Sequence, residues 1–270
     1  DCDRVGIAVR DGDDYRLVSG NEVGALLLHY VITQRLRHGT MPKDPLAVKT
    51  IVTTELCAAI CEKYGVELVN VLTGFKFIGE QITRLEEKGQ EGRYIFGFEE
   101  SYGYLCGTYV RDKDAVVASM LICEMAAFYK RQGKTLPDML DELYAEFGAY
   151  VSLQKSFTCE GVAGMQRMRG IMDALRAAPP CELAGIAVRT AEDLESGTAT
   201  DLATGKTSPV PLPRSNVLSY KLADGGWAVV RPSGTEPKIK VYFDVRAADR
   251  ASAQRLADAM ERDMPGILGF

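Results

Sequence analysis

The chain has 270 residues, of which 46% are hydrophobic and 26% charged, and its net charge is −5. This length suits about two domains, and the composition is ordinary for a soluble globular protein. No basic block is present, which argues against nucleic acid as a partner, because that interface needs a concentrated positive face. No apolar run approaches the roughly 18 residues of a membrane-spanning helix, so we expect no membrane partner either. Seven cysteines, mostly in apolar surroundings, favour buried thiols and a reducing cytoplasm.

The first residues, Asp-Cys-Asp-Arg, follow no initiator methionine and run directly into a β-rich stretch at residues 5–9. We therefore expect a chain that begins inside a longer motif. A turn at residues 11–14 precedes a helix over residues 21–37, for which Asn21 is the predicted N-cap. The apolar patterns then predict strands at residues 46–52, 67–72 and 94–98, alternating with helices at 55–64, at 112–131, at 136–147 and one that ends near residue 89.

This alternation over residues 14–150 predicts an α/β fold with a mainly parallel sheet covered by helices. Ligands of such sheets bind beyond the C-terminal ends of the strands, where loops at residues 73–76 and 99–101 lie.

After residue 150 the alternation of strands and helices ends, and the pattern of residues 151–270 predicts a smaller α+β domain with an antiparallel sheet. Its predicted strands include residues 151–158, 217–222, 227–231 and 239–245, with helices at 162–177 and 248–262.

The first chemical motif is the pair Asp1 and Asp3 before the opening strand. Carboxylates on alternate residues of a loop can converge on a hard cation such as Mg²⁺, which prefers oxygen ligands. A solvated acidic turn has the same pattern, so both interpretations stay open from the pair alone.

The second motif is Gly-Phe-Glu-Glu-Ser-Tyr-Gly at residues 97–103, which follows a predicted strand. Adjacent carboxylates at a strand end can accept hydrogen bonds from neighbouring hydroxyls of a sugar. A charged loop after an edge strand is the alternative.

The third motif is Arg-Pro-Ser-Gly-Thr-Glu-Pro-Lys at residues 231–238, between two strands. Glycine lets backbone N–H groups turn toward an anion, and arginine donates two parallel hydrogen bonds to phosphate oxygens. Phosphate binding is favoured here over a simple proline-bracketed turn.

The fourth motif is Arg-Asp-Lys-Asp at residues 111–114. Its aspartates suit the positive end of a following helix, whereas Lys113 is less expected there. A lysine near phosphate and metal could transfer a proton if its pKa were tuned for that purpose.

In this order and spacing the motifs resemble those of the α-D-phosphohexomutase superfamily, and the resemblance covers essentially the whole chain. Residues 1–4 resemble the end of its Asp-x-Asp-x-Asp-Arg magnesium loop, residues 99–101 its sugar-recognition loop and residues 231–235 its phosphate-binding loop. Residues 73–80 and 20–27 resemble segments of the phosphoglucomutase/phosphopentomutase branch in particular.

The resemblance implies four domains around a cleft. Residues 1–13 would be the last strand and metal loop of a truncated second domain, residues 14–150 the sugar-binding third, and residues 151–270 the TATA-binding-protein-like, phosphate-binding fourth. The missing N-terminal domains of the same protein would then be partners, because this chain has no Thr-x-Ser-His-Asn-Pro-type loop for a phosphoserine, and the first metal aspartate would precede Asp1. Ser-Tyr-Gly at residues 101–103, where phosphomannomutases have Ser-Gly-His, favours the phosphoglucomutase side.

The implied activity interconverts glucose 1-phosphate and glucose 6-phosphate through an enzyme phosphoserine and a sugar bisphosphate. A phosphorylated sugar is then the substrate and Mg²⁺ the cofactor, held by Asp1 and Asp3. Arg4, beside the phosphoserine, and Lys113, as general base, are the implied catalytic residues. The implied substrate-binding residues are Thr73, Gly74, Glu99, Glu100, Ser101, Arg231, Ser233, Gly234 and Thr235.

Two other functions remain open. The enzyme could act on a pentose, mannose or glucosamine phosphate instead of a glucose phosphate. The chain could also be a non-catalytic module that binds phosphosugars. Without a phosphoserine loop, we expect these 270 residues alone to have no mutase activity.

Overall fold

The computed structural model describes residues 2–161, 163–234 and 236–270, so Asp1 and Thr235 of the predicted site lie outside the described residues. The chain forms two compact units, one that ends at Gly148 and one that begins at Ala149. No helix in the described part of the chain is long and apolar enough to cross a membrane.

The described residues of the first unit form six strands and five helices, together with a short 3₁₀ turn at Glu91–Arg93. The strands are β1 (Ile7–Asp11), β2 (Asp14–Val18), β3 (Leu46–Thr50), β4 (Glu67–Val71), β5 (Tyr94–Glu99) and β6 (Gly103–Leu105). The helices are α1 (Gly20–Arg37), α2 (Leu56–Tyr64), α3 (Phe75–Glu86), α4 (Ala115–Lys130) and α5 (Leu136–Phe147).

The central sheet of this unit has the strand order β4-β3-β5-β6. Strand β3 runs parallel to both β4 and β5, and only β6 is antiparallel to its neighbour. Every residue of β3 and β5 is buried, as expected for parallel strands covered on both faces. The predicted α/β fold with a mainly parallel sheet is therefore confirmed. Strands β1 and β2 form a separate antiparallel hairpin, and the predicted boundary between residues 13 and 14 falls at its turn.

Helix α1 begins at Gly20, one residue before the predicted start, and its N-cap lies two residues before the predicted one. Its N-cap is Ser19, whose hydroxyl accepts a hydrogen bond from Glu22 N at 3.3 Å, while Glu22 Oε2 accepts one from Ser19 N at 2.8 Å. This reciprocal capping box satisfies two backbone donors at once. The prediction of Asn21 as N-cap is wrong, because its side chain instead accepts a hydrogen bond from Thr54 N at 3.0 Å.

In the part of the second unit that the structure describes, an antiparallel sheet packs with two helices, which confirms the predicted α+β class. Its strands are β7 (Ala149–Thr158), β8 (Glu182–Leu183), β9 (Ile186–Asp193), β10 (Thr198–Asp201), β11 (Thr207–Pro209), β12 (Leu218–Leu222), β13 (Trp227–Pro232) and β14 (Lys238–Ala247). The main strand order is β11-β10-β9-β12-β13-β14-β7, and β8 pairs with β9. Helices α6 (Gly164–Ala177) and α7 (Arg250–Leu268) contribute Met168, Met172, Met260 and Met264 to the core against this sheet.

Helix α1 packs very closely on β5 at Gly24. A Cβ atom at this position would lie 1.9 Å from a ring carbon of Phe98, which is itself 1% exposed. Glycine is therefore required there by the approach of the helix to the strand rather than by backbone conformation. This contact positions the end of β5, where the second sequence motif begins.

We expect Gly24→Ala to lower the free energy of unfolding by about 1–3 kcal/mol, because the added methyl group overpacks a close-packed core. Gly92→Ala is the matched control, since nothing lies within 4 Å of its added Cβ. This control should change stability by less than about 0.5 kcal/mol. Urea unfolding followed by circular dichroism measures both, and equal stabilities would mean that the Phe98 ring moves aside without cost.

Candidate functional site

The C-terminal edge of the parallel sheet gathers most of the predicted site residues of the first unit. Glu99 is the last residue of β5, and Glu100 and Ser101 follow it directly. Thr73 and Gly74 lie in the connection from β4 to α3, where Gly74 has a φ of 115° and is the N-cap of the helix. Parallel strands end at one edge, which is why loops distant in sequence meet there.

The opening residues of the chain lie against the loop that follows β5. Val5 N donates a hydrogen bond to Tyr102 O at 3.2 Å, and Ala115 N donates one to Cys2 O at 3.1 Å. These backbone contacts hold Asp3 and Arg4 between the loop and the start of α4. Residues separated by about a hundred positions in the sequence thus come together at one place.

Glu99 is a nearly buried carboxylate, with 5% of the residue exposed. Arg4 Nη2 lies 3.7 Å from its Oε1, and the Ser101 side chain is a hydrogen-bond partner. Burial raises the pKa of Glu99 above its ordinary value, although Ser101, Lys113 and Arg4 act in the opposite direction. The carboxylate therefore lies in a setting where additional hydrogen-bond donors, such as sugar hydroxyls, would favour its charged form.

Lys113 is held between two carboxylates. Its ammonium lies 2.9 Å from Asp3 Oδ1 and 3.0 Å from Asp112 Oδ1, and only 12% of its side chain is exposed. Burial acts to lower the pKa of Lys113, but the hydrogen bonds to Asp3 and Asp112 outweigh it and raise the pKa above its ordinary value. These two ion pairs favour the charged form of Lys113. The assignment of Lys113 as general base stays a prediction.

Gly103 is what allows Lys113 and Glu99 to approach each other. A Cβ atom on Gly103 would lie 2.6 Å from Lys113 Cδ and 3.1 Å from Glu99 Oε1. The ammonium of Lys113 also lies 5.8 Å from the ring centroid of Phe75, the residue after Gly74. Phe75, the first residue of α3, and Glu99, at the end of β5, therefore both border the Lys113 side chain.

The described residues alone do not fit a magnesium site. They contain no group of three histidine, cysteine, aspartate or glutamate side chains arranged to hold a metal ion. Asp3 Oδ1 contacts Lys113, and Asp3 Oδ2 lies 3.6 Å from Arg4 Nε, so both oxygens face cations. Asp1, the other predicted ligand, is outside the described residues.

The predicted phosphate loop belongs to the second unit and connects β13 to β14. Ser233 N donates to Lys238 O at 2.8 Å, and Ser233 Oγ accepts from Glu236 N at 3.3 Å, which closes a tight turn. Arg231, at the end of β13, is paired in register with Lys240 of β14, so both side chains leave the same face of the sheet. Gly234 is exposed, and nothing lies within 4 Å of the position of a Cβ there.

A group of buried polar residues at the end of β3 was not among the predicted site residues. Lys49, Thr50 and Thr53 are each no more than 1% exposed, and Thr50 Oγ1 lies 3.4 Å from Glu100 Oε2. A lysine and threonines that interrupt an otherwise apolar strand at its C-terminal end could have indicated them. Without the fold, however, nothing connected them to the loop after β5.

Two family models match the chain, both from the same family. The model for phosphoglucomutase/phosphomannomutase α/β/α domain III matches residues 19–147, and the model for the C-terminal domain of that family matches residues 186–262. The chain belongs to the phosphoglucomutase/phosphomannomutase family. The resemblance stated from the motifs is therefore confirmed at the level of the family, with both units covered.

Curated relatives of this family member carry the name phosphoglucomutase. That of Staphylococcus aureus strain MRSA252 is 40% identical over 263 residues, which cover 96% of this chain and 46% of the relative. That of strain MSSA476 is 39% identical over the same length. The chain thus spans about half the length of the curated relatives it matches.

Solved structures of the family share the fold at low sequence identity. Parafusin from Paramecium, a phosphoglucomutase in an open form, gives a TM-score of 0.68 at 18% identity, covering 100% of this chain and 44% of its own. A phosphoglucomutase/phosphomannomutase family protein from Burkholderia thailandensis gives 0.58 at 17% identity, covering 99% and 45%. These likenesses concern the fold alone.

The buried charge of Glu99 generates a prediction on stability. A carboxyl group whose pKa is raised by folding destabilises the fold above that pKa, and this effect disappears as the pH falls below the unfolded value. We therefore expect Glu99→Gln to raise the free energy of unfolding at about pH 7–8, with a gain that shrinks toward about pH 4. Urea unfolding across this pH range measures it.

The matched control is Glu62→Gln on an exposed face of α2. It should show no pH-dependent gain beyond about 0.5 kcal/mol. A loss of stability in Glu99→Gln at neutral pH would show that the contact with Arg4 outweighs the cost of burying the charge.

Proposed function

We propose that this chain is the sugar- and phosphate-binding part of a phosphoglucomutase, an isomerase that interconverts glucose 1-phosphate and glucose 6-phosphate. The proposal rests on one observation: Arg4, Glu99 and Lys113 lie close together at the C-terminal edge of the parallel sheet. The names of the Staphylococcus aureus relatives support the same activity. A phosphoserine on the N-terminal domains of the same protein, which this sequence does not contain, would carry the phosphoryl group.

In this proposal the loop after β5 recognises the sugar. Glu99, Glu100 and Ser101 would accept and donate hydrogen bonds to adjacent hydroxyls of the ring, with Thr73 and Gly74 on the neighbouring connection. Carboxylates suit this task because they can accept from two hydroxyls at once. The bisphosphate intermediate must be bound in two orientations, and hydroxyl pairs on the ring would meet the same carboxylates in either one.

The cations have different tasks. Arg4 and Lys113 would stabilise negative charge on the phosphoryl group that is transferred, because both lie beside Glu99 at the edge of the sheet. Lys113 enters here as a charged group, and its role as the general base expected from the resemblance stays a prediction. Arg231, Ser233, Gly234 and Thr235 would hold the phosphate that does not react.

Asp1 and Asp3 stay predicted magnesium ligands, and no step of the proposal passes through a metal. A cytoplasmic location also belongs to the proposal.

Pentose, mannose and glucosamine phosphates are the alternative substrates, and assays of the whole enzyme on each sugar phosphate would decide among them. A non-catalytic phosphosugar-binding module is the alternative from another class. It would be favoured if the whole protein had no phosphorylatable serine loop.

Arg231 provides the first test. Hydrogen bonds to charged groups contribute about 1.5–3 kcal/mol, so Arg231→Ala should weaken glucose 6-phosphate binding roughly 10- to 150-fold. Arg231→Lys should restore only part of the affinity, because a point charge lacks the planar fork of the guanidinium. Titration followed by NMR measures all variants.

Arg255→Ala is the matched control, since this exposed arginine lies on α7 and donates to Ser252 Oγ at 2.8 Å. It should bind the ligand as the parent chain does. If Arg231→Ala also bound like the parent, residues 231–235 would be a structural turn.

The second test concerns activity. The 270 residues alone should convert no glucose 1-phosphate to glucose 6-phosphate, because they contain no phosphoserine loop to carry the phosphoryl group. A coupled assay with Mg²⁺ and glucose 1,6-bisphosphate measures this. Activity should appear when the N-terminal half of a family member is supplied on the same polypeptide. Turnover by the purified 270-residue chain would contradict the proposal.

A further inference from the structure

A buried polar cluster adjoins the loop after β5 from the end of β3. We define it by its three buried members, Lys49, Thr50 and Thr53. The ammonium of Lys49 donates to Thr53 O at 2.9 Å and lies 3.1 Å from Glu55 Oε1. Burying a charge and two hydroxyls costs free energy, so a cluster of this kind needs complete hydrogen bonding to persist.

The hydrogen bonds of this cluster have a defined direction. Thr50 Oγ1 lies 2.7 Å from Thr53 Oγ1 and 3.4 Å from Glu100 Oε2. A carboxylate can only accept, so Thr50 donates its single proton to Glu100. The oxygen of Thr50 then accepts the proton of Thr53 at the shorter contact. The order of donation therefore runs from Thr53 to Thr50 to Glu100.

The backbone around the cluster is fixed at both ends. Ile51 N donates to Val71 O at 2.8 Å, which ties it to β4. Thr54 N donates to Asn21 Oδ1 at 3.0 Å, which ties it to the first turn of α1. Thr50 itself is the last residue of the central strand β3. Its hydroxyl therefore occupies a fixed point of the scaffold, whereas Glu100 lies in a loop.

We propose that Thr50 is a positioning residue that orients the Glu100 carboxylate for a sugar hydroxyl, with Thr53 fixing the direction of its proton. This inference rests on the proposed function, because it deepens the role given there to the loop after β5. Thr50 would not touch the substrate. Its hydroxyl would restrict the rotamers of the Glu100 side chain before the sugar binds, so that less side-chain entropy is lost on binding.

Thr50→Val tests the proposal, because valine keeps the shape of threonine and removes only the hydroxyl. Loss of the hydrogen bond from Thr50 to Glu100 should weaken the binding of glucose 6-phosphate roughly 2- to 12-fold. Thr50→Ser should restore most of the affinity. Thr54→Val is the matched control, because the Thr54 hydroxyl accepts from Leu56 N at 3.2 Å and belongs to the start of α2. NMR titration measures binding, and amide peak dispersion reports folding.

A double-mutant cycle separates positioning from a general structural role. In a Glu100→Ala background, Thr50→Val should cause no further loss, because the carboxylate through which it acts is gone. If Thr50→Val does not fold, Thr50→Ala and Thr50→Ser provide the same comparison, since they differ by one hydroxyl.

The outcomes distinguish this inference from the proposed function. If Glu100→Ala binds glucose 6-phosphate as well as the parent does, the sugar-binding role proposed for Glu100 fails, and the inference fails with it. If Glu100→Ala binds weakly but Thr50→Val binds like the parent, only the inference is wrong. An equal loss from Thr50→Val with and without Glu100 would likewise overturn it, because the hydroxyl would then act on the fold as a whole.

Discussion

The carboxylate of Glu99 lies at the buried end of β5, where only 5% of the residue is exposed. A charge in this position needs cations or hydrogen-bond donors beside it. Arg4, Ser101 and Lys113 provide the compensation from three separate segments of the chain. Lys113 is in turn held by carboxylates on both sides. The first residues, the loop after β5 and the segment before α4 thus meet around one buried charge. The proposed active site is the place where they do.

The two candidate binding loops solve different recognition problems. The loop after β5 adjoins buried hydrogen-bonded groups, including Thr50, and hydroxyl recognition needs such fixed directions. The loop between β13 and β14 is closed by local hydrogen bonds of Ser233 and contains an exposed glycine. Phosphate recognition depends more on charge and on accessible N–H groups than on one exact orientation. The structural difference therefore matches the two chemical tasks that we propose.

The fold is shared with parafusin at a TM-score of 0.68 although the identity is only 18%. Close contacts such as that of Gly24 with Phe98 depend on the approach of a helix to a strand. The fold determines where β5 ends. The residue types of the loop after β5 determine which ligand groups can bind there.

The sequence by itself determined the class of both units, because strand and helix periodicities are local and short motifs keep their order. It also identified Glu99, Ser101 and Arg231 as candidates, since their residue types carry the chemistry. It misplaced the cap of α1, because Ser19 and Asn21 are both good caps and only the fold gives Asn21 another partner, Thr54 N. Only the tertiary structure revealed the link from Thr50 to Glu100 and the ion pairs of Lys113 with Asp3 and Asp112. Hydrogen bonds and burial between residues far apart in the chain decide these features, and no local pattern encodes them.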